Sequence, residues 1–249
     1  MRAIAIAGVL LLAQAATKPS FEVATIKRNV SIADGSSIGM QPGGRFRAVN
    51  VNVAFMISTM YRAPGGARLI PSQIIGLPDW ATTERYDITA KIAREFAGLT
   101  TQEQFRNMSP MVQALLEDRF KLKLHHETRE MPIYALVVSR RDLMRPTTTD
   151  CRATPDKCRI ESTAGHYSAI SFNINNLLIF LSNAVERVVI DRTGLQGSYD
   201  IDIDWAAEPG SDKPSIFTAV QEQLGLKLQA EKGPVDVVVV DHVERPTED

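Results

Sequence analysis

The chain has 249 residues, of which 44% are hydrophobic and 23% are charged, and its formal net charge at pH 7 is −1. This composition is ordinary for a globular protein and supports one large domain or two small ones. Modules that bind nucleic acid usually carry a marked excess of basic residues. The near-neutral charge therefore argues against nucleic acid as a partner.

Residues 1–16 are typical of a secretory signal peptide. Arg2 supplies a positive charge, an apolar run extends from Ala3 to Leu12, and Ala13-Gln14-Ala15 matches the small-x-small pattern of a cleavage site. A membrane anchor is the alternative, but a spanning helix needs roughly 20 apolar residues. Neither this run nor any later segment reaches that length. We therefore predict a mature protein without a transmembrane segment that is periplasmic or secreted after cleavage.

Cys151 and Cys158 are the two cysteines of the chain. In the oxidising compartment that the leader implies, a disulfide between them is the default interpretation. A metal site is the alternative, but it needs further ligands, and no histidine lies within several residues of either cysteine. The predicted disulfide would hold together a polar connector, residues 140–163.

The parts of the chain on either side of this connector share one order of sequence patterns. Residues 44–53 and 165–174 both begin with glycine, and their aromatic and aliphatic positions coincide. Near the end of each segment an asparagine, Asn52 or Asn173, is suited to a helix N-cap, and an amphipathic helical stripe follows. A Tyr-Asp-Ile strand comes next in both parts. These matches predict a tandem duplication, with a first repeat at residues 17–139 that carries an extra strand at Phe21–Lys27, and a second repeat at residues 164–249 with a short tail.

Each predicted repeat has the order β-α-β-β-α-β-β. Pro110 and Pro214 are assigned to the first turn of the second helix, where a missing N–H is tolerated. The last two strands are predicted to form a hairpin, because an alternating strand is followed by turn residues and a second apolar run. The fold class is therefore α+β, with mainly antiparallel sheets and helices packed on one face; whether the repeats share a sheet stays open. Three further segments are assigned by composition: an exposed loop at residues 31–44, a central strand covered on both faces at Val237–Val240, and a frayed tail after Glu244.

No motif of a metallopeptidase, P-loop, serine hydrolase elbow or Ser-x-x-Lys enzyme occurs in the chain. His125 and His126 are adjacent, and neighbours on a strand point to opposite faces, so they are poorly placed to chelate one ion. We therefore predict no catalytic residue, no metal ligand and no cofactor.

Polar side chains in three places are candidates for binding. Asp200, Asp202 and Asp204 alternate with apolar residues, which puts three carboxylates on one face of a strand. Calcium is one alternative for them, although a straight row spaces the ligands poorly; a solvated face or a docking surface for a basic partner are the others. Trp80 and Arg192 lie in loops that correspond between the repeats, and such side chains dominate binding hot spots. A packed structural turn is the alternative interpretation of both loops.

Long motifs that are specific enough to compare occur at residues 21–29, 42–46, 114–124, 127–134, 189–199, 221–228 and 240–246. They resemble one family of exported proteins of uncharacterised function from soil-associated bacteria. Similar domains occur behind membrane-embedded metallopeptidases of the antibiotic-sensing type, so the resemblance implies a sensory or interaction role and supplies no catalytic residues. Each half also resembles, more remotely, the short N-terminal domain of secretins and TonB-dependent receptors, which docks proteins in the periplasm.

These observations favour a non-enzymatic, extracytoplasmic binding or interaction module with a protein or peptide partner in the cell envelope. The duplicated module has exposed strand edges, and such edges accept an extra strand from a partner. A hydrolase or transferase with an unrecognised active site is the alternative, because Ser, His and Asp are all present and triads are recognised by geometry.

Overall fold

The structure is a computed structural model that describes residues 19–31, 35–62, 68–92, 99–151, 153–208, 210–247 and 249. The predicted signal peptide, residues 1–16, lies outside these residues. The fold is α+β with mostly antiparallel sheets, as predicted. The helices are α1 Val53–Met60, α2 Asp79–Thr83, α3 Thr101–Arg119, α4 Ile174–Ala184 and α5 Ile216–Gln223. The strands are β1 Val23–Asn29, β2 Ser37–Gln41, β3 Arg45–Val51, β4 Ile74–Ile75, β5 Arg85–Lys91, β6 Lys123–Val138, β7 Arg145–Pro146, β8 Ile160–Thr163, β9 His166–Asn173, β10 Val189–Asp191, β11 Ser198–Asp204 and β12 Leu226–His242.

Two outer sheets have the same arrangement. The first has the strand order β1-β5-β3-β2, and the second has the order β7-β11-β9-β8, with antiparallel pairing throughout. The first sheet lies in the first half of the chain, up to residue 139. The second is built from the second half, which starts at residue 164, together with β7 and β8 from the connector. This common order is what a duplication would produce, and the duplication itself stays a prediction.

A central sheet, with the order β10-β6-β12-β4, joins the two halves. Its long strands β6 and β12 pair antiparallel with each other along nearly their whole length. The short strand β4 of the first half pairs parallel with β12 of the second half, and β10 of the second half pairs parallel with β6 of the first. Each half therefore adds a short strand to the long strand of the other, so the halves share one sheet.

The predicted hairpins are wrong, because β6 and β12 are each one uninterrupted strand. The return strands of the two hairpins were predicted to begin at Pro132 and Pro234, after a turn. In the structure the N–H of Tyr134 and the C=O of Leu136 point outward to the β10 segment, so even-numbered residues of β6 face away from β12. Proline is tolerated in a strand where its nitrogen lies outside the ladder. Pro132 occupies such an outward position, and the strand continues through it.

The helix starts are only partly as predicted. Asn52 and Asn173 cap α1 and α4 by accepting a hydrogen bond from the third helical residue, which confirms both caps. However, Pro110 lies inside α3, which begins nine residues earlier because Thr100 and Glu103 form a reciprocal capping box. Pro214 lies just before the N-cap of α5 and not within its first turn.

Two large cores each place helices against an outer sheet and one end of the central sheet. The first combines α1, α3 and the first outer sheet with Val238 and Val240 of β12. The second combines α4, α5 and the second outer sheet with Leu136 of β6 and Leu226 of β12. A small third cluster on the central sheet contains Val237. Because Val237 and Val238 point to opposite faces and are both fully buried, the prediction of a strand covered on both faces is confirmed.

Two segments that we expected to be irregular are ordered parts of the fold. Ser37–Gln41, within the predicted loop, forms β2 because it pairs with β3. The segment after Glu244 is held and not frayed: Pro246 is buried, and the Asp249 carboxylate lies 2.5 Å from an Arg119 guanidinium nitrogen. Polar composition predicts exposure, but it carries no information on these long-range pairings.

Candidate ligand-binding cleft

The disulfide between Cys151 and Cys158 is formed, with the two Cα atoms 5.7 Å apart. It closes the tip of the connector, from which β8 runs directly into the second outer sheet. The prediction from the two cysteines is therefore confirmed.

Asp200 has a structural contact. Its Oδ1 accepts a hydrogen bond from the backbone N–H of Ser171 at 3.0 Å, and Ser171 has a positive φ of 58° at the point where the pairing register with β11 shifts. In the first half, Asp87 accepts in the same way from the N–H of Asn50, at 2.9 Å with a φ of 54°. Both carboxylates thus support the backbone at a β-bulge.

Asp202 and Asp204 do share a face, and the structure adds a lysine and a histidine as neighbours. Lys213 Nζ lies 2.6 Å from Asp204 Oδ1, and His166 Nδ1 lies 3.5 Å from the same oxygen. The hydrogen bond and the charge of Lys213 lower the pKa of Asp204. His166, Asp202 and Asp204 each offer one atom that could coordinate a metal ion, and these three atoms lie within 4.8 Å of one another. A metal ion there would compete with the Lys213 ammonium for Asp204.

Trp80 lies under the C-terminal segment. The Arg245 guanidinium stacks 5.0 Å from its ring centroid and makes a two-pronged ion pair with the half-buried Glu84, whose Oε2 also accepts from the Tyr86 hydroxyl. This accounts for Trp80 as a packing residue. Arg192, at the end of β10, donates its backbone N–H to Leu136 and extends its side chain into solvent. Trp80 packs against the first core, whereas Arg192 follows β10 at the edge of the central sheet.

The described residues form a cleft of about 590 Å³ between the two halves, a volume typical of small-molecule sites. We call it the inter-half cleft. One wall comes from the segment after α1 and the turn before β4, and the other comes from α4 and the start of β10. Its lining residues are Arg62, Arg68, Ile70, Gln73, Asn175, Leu178, Ile179, Ser182, Val188 and Val189.

Two arginines dominate the charge of this cleft. Arg62 and Arg68 face each other in an antiparallel bridge, and directly opposite residues have Cβ atoms about 4.5–5.5 Å apart. Burial and the positive charge of Arg68 lower the pKa of Arg62. None of the ten lining residues is acidic. Like charges directly opposite one another are destabilising, so the described lining holds two cations without a neutralising carboxylate.

Arg62 is held in place by contacts that leave much of its guanidinium free. Its Nη1 donates to the carbonyls of Thr59 and Tyr61, at 2.9 and 3.1 Å, where the C-terminal end of α1 attracts positive charge. Its guanidinium also lies 5.2 Å from the ring centroid of Phe105 on α3. Among the described residues, Nε and Nη2 of Arg62 and the whole guanidinium of Arg68 have no hydrogen-bonding partner, so several donors remain for a ligand.

The rest of the cleft is preformed by bonds within the fold. The Gln73 amide bridges the two halves, because it accepts from the N–H of Ile70 and donates to the carbonyl of Asp236 on β12. The buried Ser182 hydroxyl accepts from the N–H of Val189 and ties α4 to β10. The remaining lining residues are apolar except for Asn175. The arrangement can bind a molecule with an apolar body and a negatively charged end.

Sequence reasoning missed this cleft. Arg62 and Arg68 flank a short Pro- and Gly-containing segment, which no functional motif distinguishes from a loop. Only the crossed pairing of β4 and β10 in the central sheet brings Arg62 and Arg68 into one cleft with α4. Gly76 and Leu77, which precede Trp80 in its loop, line a second cavity of about 510 Å³ beside α1.

Two histidines lie next to carboxylates, an arrangement that a catalytic triad would require. His125 Nδ1 lies 2.9 Å from Asp241, and His242 Nε2 lies 2.7 Å from Glu244. Within the described residues, no serine, threonine or cysteine side chain completes a hydrogen-bonded triad with either pair.

Comparison with known proteins gives one match. A family model described as "Protein of unknown function (DUF3738)" matches residues 42–243. No curated protein and no solved structure matches the chain. In the described residues, no helix has the length and apolar character that crossing a membrane requires.

Proposed function

We propose that this chain, which belongs to the DUF3738 family of proteins of unknown function, is an extracytoplasmic binding protein whose ligand occupies the inter-half cleft. The signal-peptide pattern of residues 1–16 supports export. The disulfide between Cys151 and Cys158 fits the same compartment, because disulfides persist where conditions are oxidising. The resemblance to exported proteins of soil-associated bacteria and to envelope docking domains supports a sensory or interaction role.

The observation that carries this proposal is that each half of the chain supplies one wall of the cleft. Arg62 and Gln73 come from the first half, whereas Ile179 and Ser182 come from the second. A ligand that contacts both walls stabilises the pairing of the halves, because binding to the folded state alone adds to stability. The duplication that we infer from the matching outer sheets supplies a simple route to such a site at a pseudo-symmetric junction.

A thermal-shift screen of the mature chain tests the proposal. The panel holds neutral, cationic and anionic small molecules, each with and without an apolar chain. At least one class is expected to raise the melting temperature of the native protein. Ile179→Trp fills the cleft from α4 and should abolish that rise, whereas Asn176→Trp, on the exposed side of the same helix, should retain it.

Two outcomes would refute the cleft as the binding site. One is a panel without any stabilising compound, and the other is a rise in melting temperature that persists in Ile179→Trp. Cooperative unfolding of each variant without ligand checks that the substitutions leave the fold intact.

A second candidate function, addition of a peptide strand, is favoured by the open edge of β6. The backbone N–H and C=O groups of even-numbered residues in β6 point away from β12. The β10 segment pairs with them only near Tyr134–Leu136. The stretch from Leu124 to Glu130 therefore presents N–H and C=O groups to which no described strand is paired. An extended peptide of a partner in the cell envelope would add to such an edge through main-chain hydrogen bonds.

His126→Pro tests this second function, because it removes one outward N–H without touching the ladder to β12. His126→Ala is the matched control, since it shortens the side chain and keeps the N–H. Titration with a panel of extended peptides should detect binding that the alanine variant retains and the proline variant loses. Equal binding by both variants, or no binding by any peptide, would argue against strand addition.

A further inference from the structure

We propose that the ligand of the inter-half cleft is an organic anion with an apolar chain or ring, gripped by the guanidinium groups of Arg62 and Arg68. This inference rests on the proposed binding function and adds the chemical class of the ligand. Its starting point is that the two cations stand opposite each other in a bridge, on one side of a cleft whose described lining contains no acidic residue.

A structural explanation for the arginine pair is incomplete. Arg62 is accounted for in part, because it caps the carbonyls at the end of α1. Arg68 makes no such contact among the described residues, and its exposed side chain adds a second positive charge directly across the bridge. A neutral residue at position 68 would remove the repulsion. The arginine pair therefore lowers the stability of the ligand-free protein, and a bound anion would neutralise the repulsion between the two guanidinium groups.

The geometry suits a carboxylate or sulfonate head. Guanidinium groups recognise planar oxyanions with two parallel N–H bonds, and such charge-assisted bonds are about twice as strong as neutral ones. The half-buried Nε and Nη2 edge of Arg62 and the free fork of Arg68 can approach one head group from two sides. The partial burial of Arg62 strengthens its contact with such a head group, since a lower local dielectric raises the interaction energy of opposite charges.

The opposite wall selects for an apolar body behind the head. Leu178, Ile179 and Val188 line that wall, Ile70 adds an apolar side chain beside the arginines, and the cleft volume of about 590 Å³ exceeds what an inorganic anion fills. Ligand pockets typically combine such apolar walls with a few polar groups that fix orientation. An inorganic phosphate would satisfy the arginines and leave the apolar wall wet, so it should bind much more weakly than an amphiphilic anion.

Four probes separate charge from apolar contact in isothermal titration of the mature chain. Octanoate carries both features, octanamide lacks the charge, octylammonium reverses it, and inorganic phosphate lacks the chain. Octanoate is expected to bind at least about ten-fold more tightly than octanamide or phosphate. Octanamide can make only neutral hydrogen bonds to the arginines, and phosphate makes no contact with the apolar wall. Octylammonium should not bind.

Arg68→Gln gives two readouts that move in opposite directions. It should weaken octanoate binding about ten-fold or more, because one guanidinium is lost, and it should raise the melting temperature of the ligand-free protein, because the like-charge pair is relieved. Arg47→Gln, on the exposed face of β3, removes the same charge far from the cleft and should leave octanoate affinity unchanged.

Tight binding of octanamide, or an octanoate affinity that Arg68→Gln does not change, would overturn the assignment of an anionic ligand. Loss of octanamide binding in Ile179→Trp would at the same time uphold the cleft as the site, so the two ideas fail separately. If no probe binds and Arg68→Gln lowers the melting temperature of the free protein, the arginine pair is structural and the inference is wrong.

Discussion

The corner between α5 and β12 allows a sharp test of the fold. Gly225 has a φ of 65°, and a Cβ added there would overlap the carbonyl oxygen of Arg140 and come within 3.2 Å of the Leu143 side chain. Its own carbonyl accepts the N–H groups of Ser139 and Arg140, at 2.7 and 2.8 Å. These bonds fasten the end of β6 to the start of β12. We expect Gly225→Ala to force this corner apart.

Gly194→Ala is the matched control, because Gly194 also has a φ of 65° and a Cβ added there meets nothing within 4 Å. Both variants bear the backbone strain of the left-handed region, about 1–2 kcal/mol for a residue with a Cβ. Only Gly225→Ala also overpacks, at about 1–3 kcal/mol, and strains two hydrogen bonds worth about 1 kcal/mol each. It should therefore lose about 2–4 kcal/mol more than the control.

Urea unfolding followed by circular dichroism measures both free energies of unfolding. Equal losses in the two variants would mean that the Arg140 carbonyl does not lie against Gly225. The close packing of the α5–β12 corner against the end of β6 would then be refuted.

Three further predictions concern the connector, the C-terminal segment and the two bulges. The double variant Cys151→Ser, Cys158→Ser should lose about 2–3 kcal/mol in urea unfolding, because a closed loop of this size constrains the unfolded chain by that amount; an unchanged midpoint would contradict this. The Arg245 ion pair lowers the pKa of Glu84, so its stabilisation is present above the ordinary pKa of a glutamate and is lost as pH falls through the lowered value. Thermal melts from pH 7 to pH 3 should therefore show a shallower acid dependence for Glu84→Gln than for the native protein, and parallel curves would count against the ion pair. Asp87→Ala breaks two hydrogen bonds and should lose about 1–3 kcal/mol, whereas the exposed Asp200→Ala breaks one and should lose less; the reverse order would show that the bulges are held by other contacts.

The helices and their caps could be predicted because their determinants are local. Asn52 and Asn173 precede stripes with a period of 3.6 residues, and both the cap and the stripe act within a few residues of the chain. The start of α3 was missed for a local reason as well. Thr100 and Glu103 form a capping box, and the more conspicuous Pro110 drew the predicted start into the helix interior.

The long central strands show where local patterns stop being informative. Pro132 reads as the start of a new strand when it is considered alone. It is compatible with a continuous strand only because its nitrogen faces the open edge of β6, and that edge is defined by β12 and β10, which lie far away in sequence. A period of two in a sequence identifies a strand but not the neighbour with which it pairs.

The candidate binding residues divide in the same way. Asp200 and Trp80 were singled out by residue type, yet the structure commits them to a bulge and to the C-terminal segment. Arg62 and Arg68 carry no motif and became a candidate site only through the cleft between the halves.

The sequence by itself determined the α+β class, the disulfide between Cys151 and Cys158, the caps of α1 and α4, and the buried character of Val237–Val240. Each of these depends on residue type and short-range spacing. The tertiary structure alone decided that the halves exchange β4 and β10 across one central sheet, and that this exchange sets two arginines against an apolar wall. Pairing between distant strands depends on the summed packing of both halves, and no short stretch of the chain encodes that sum.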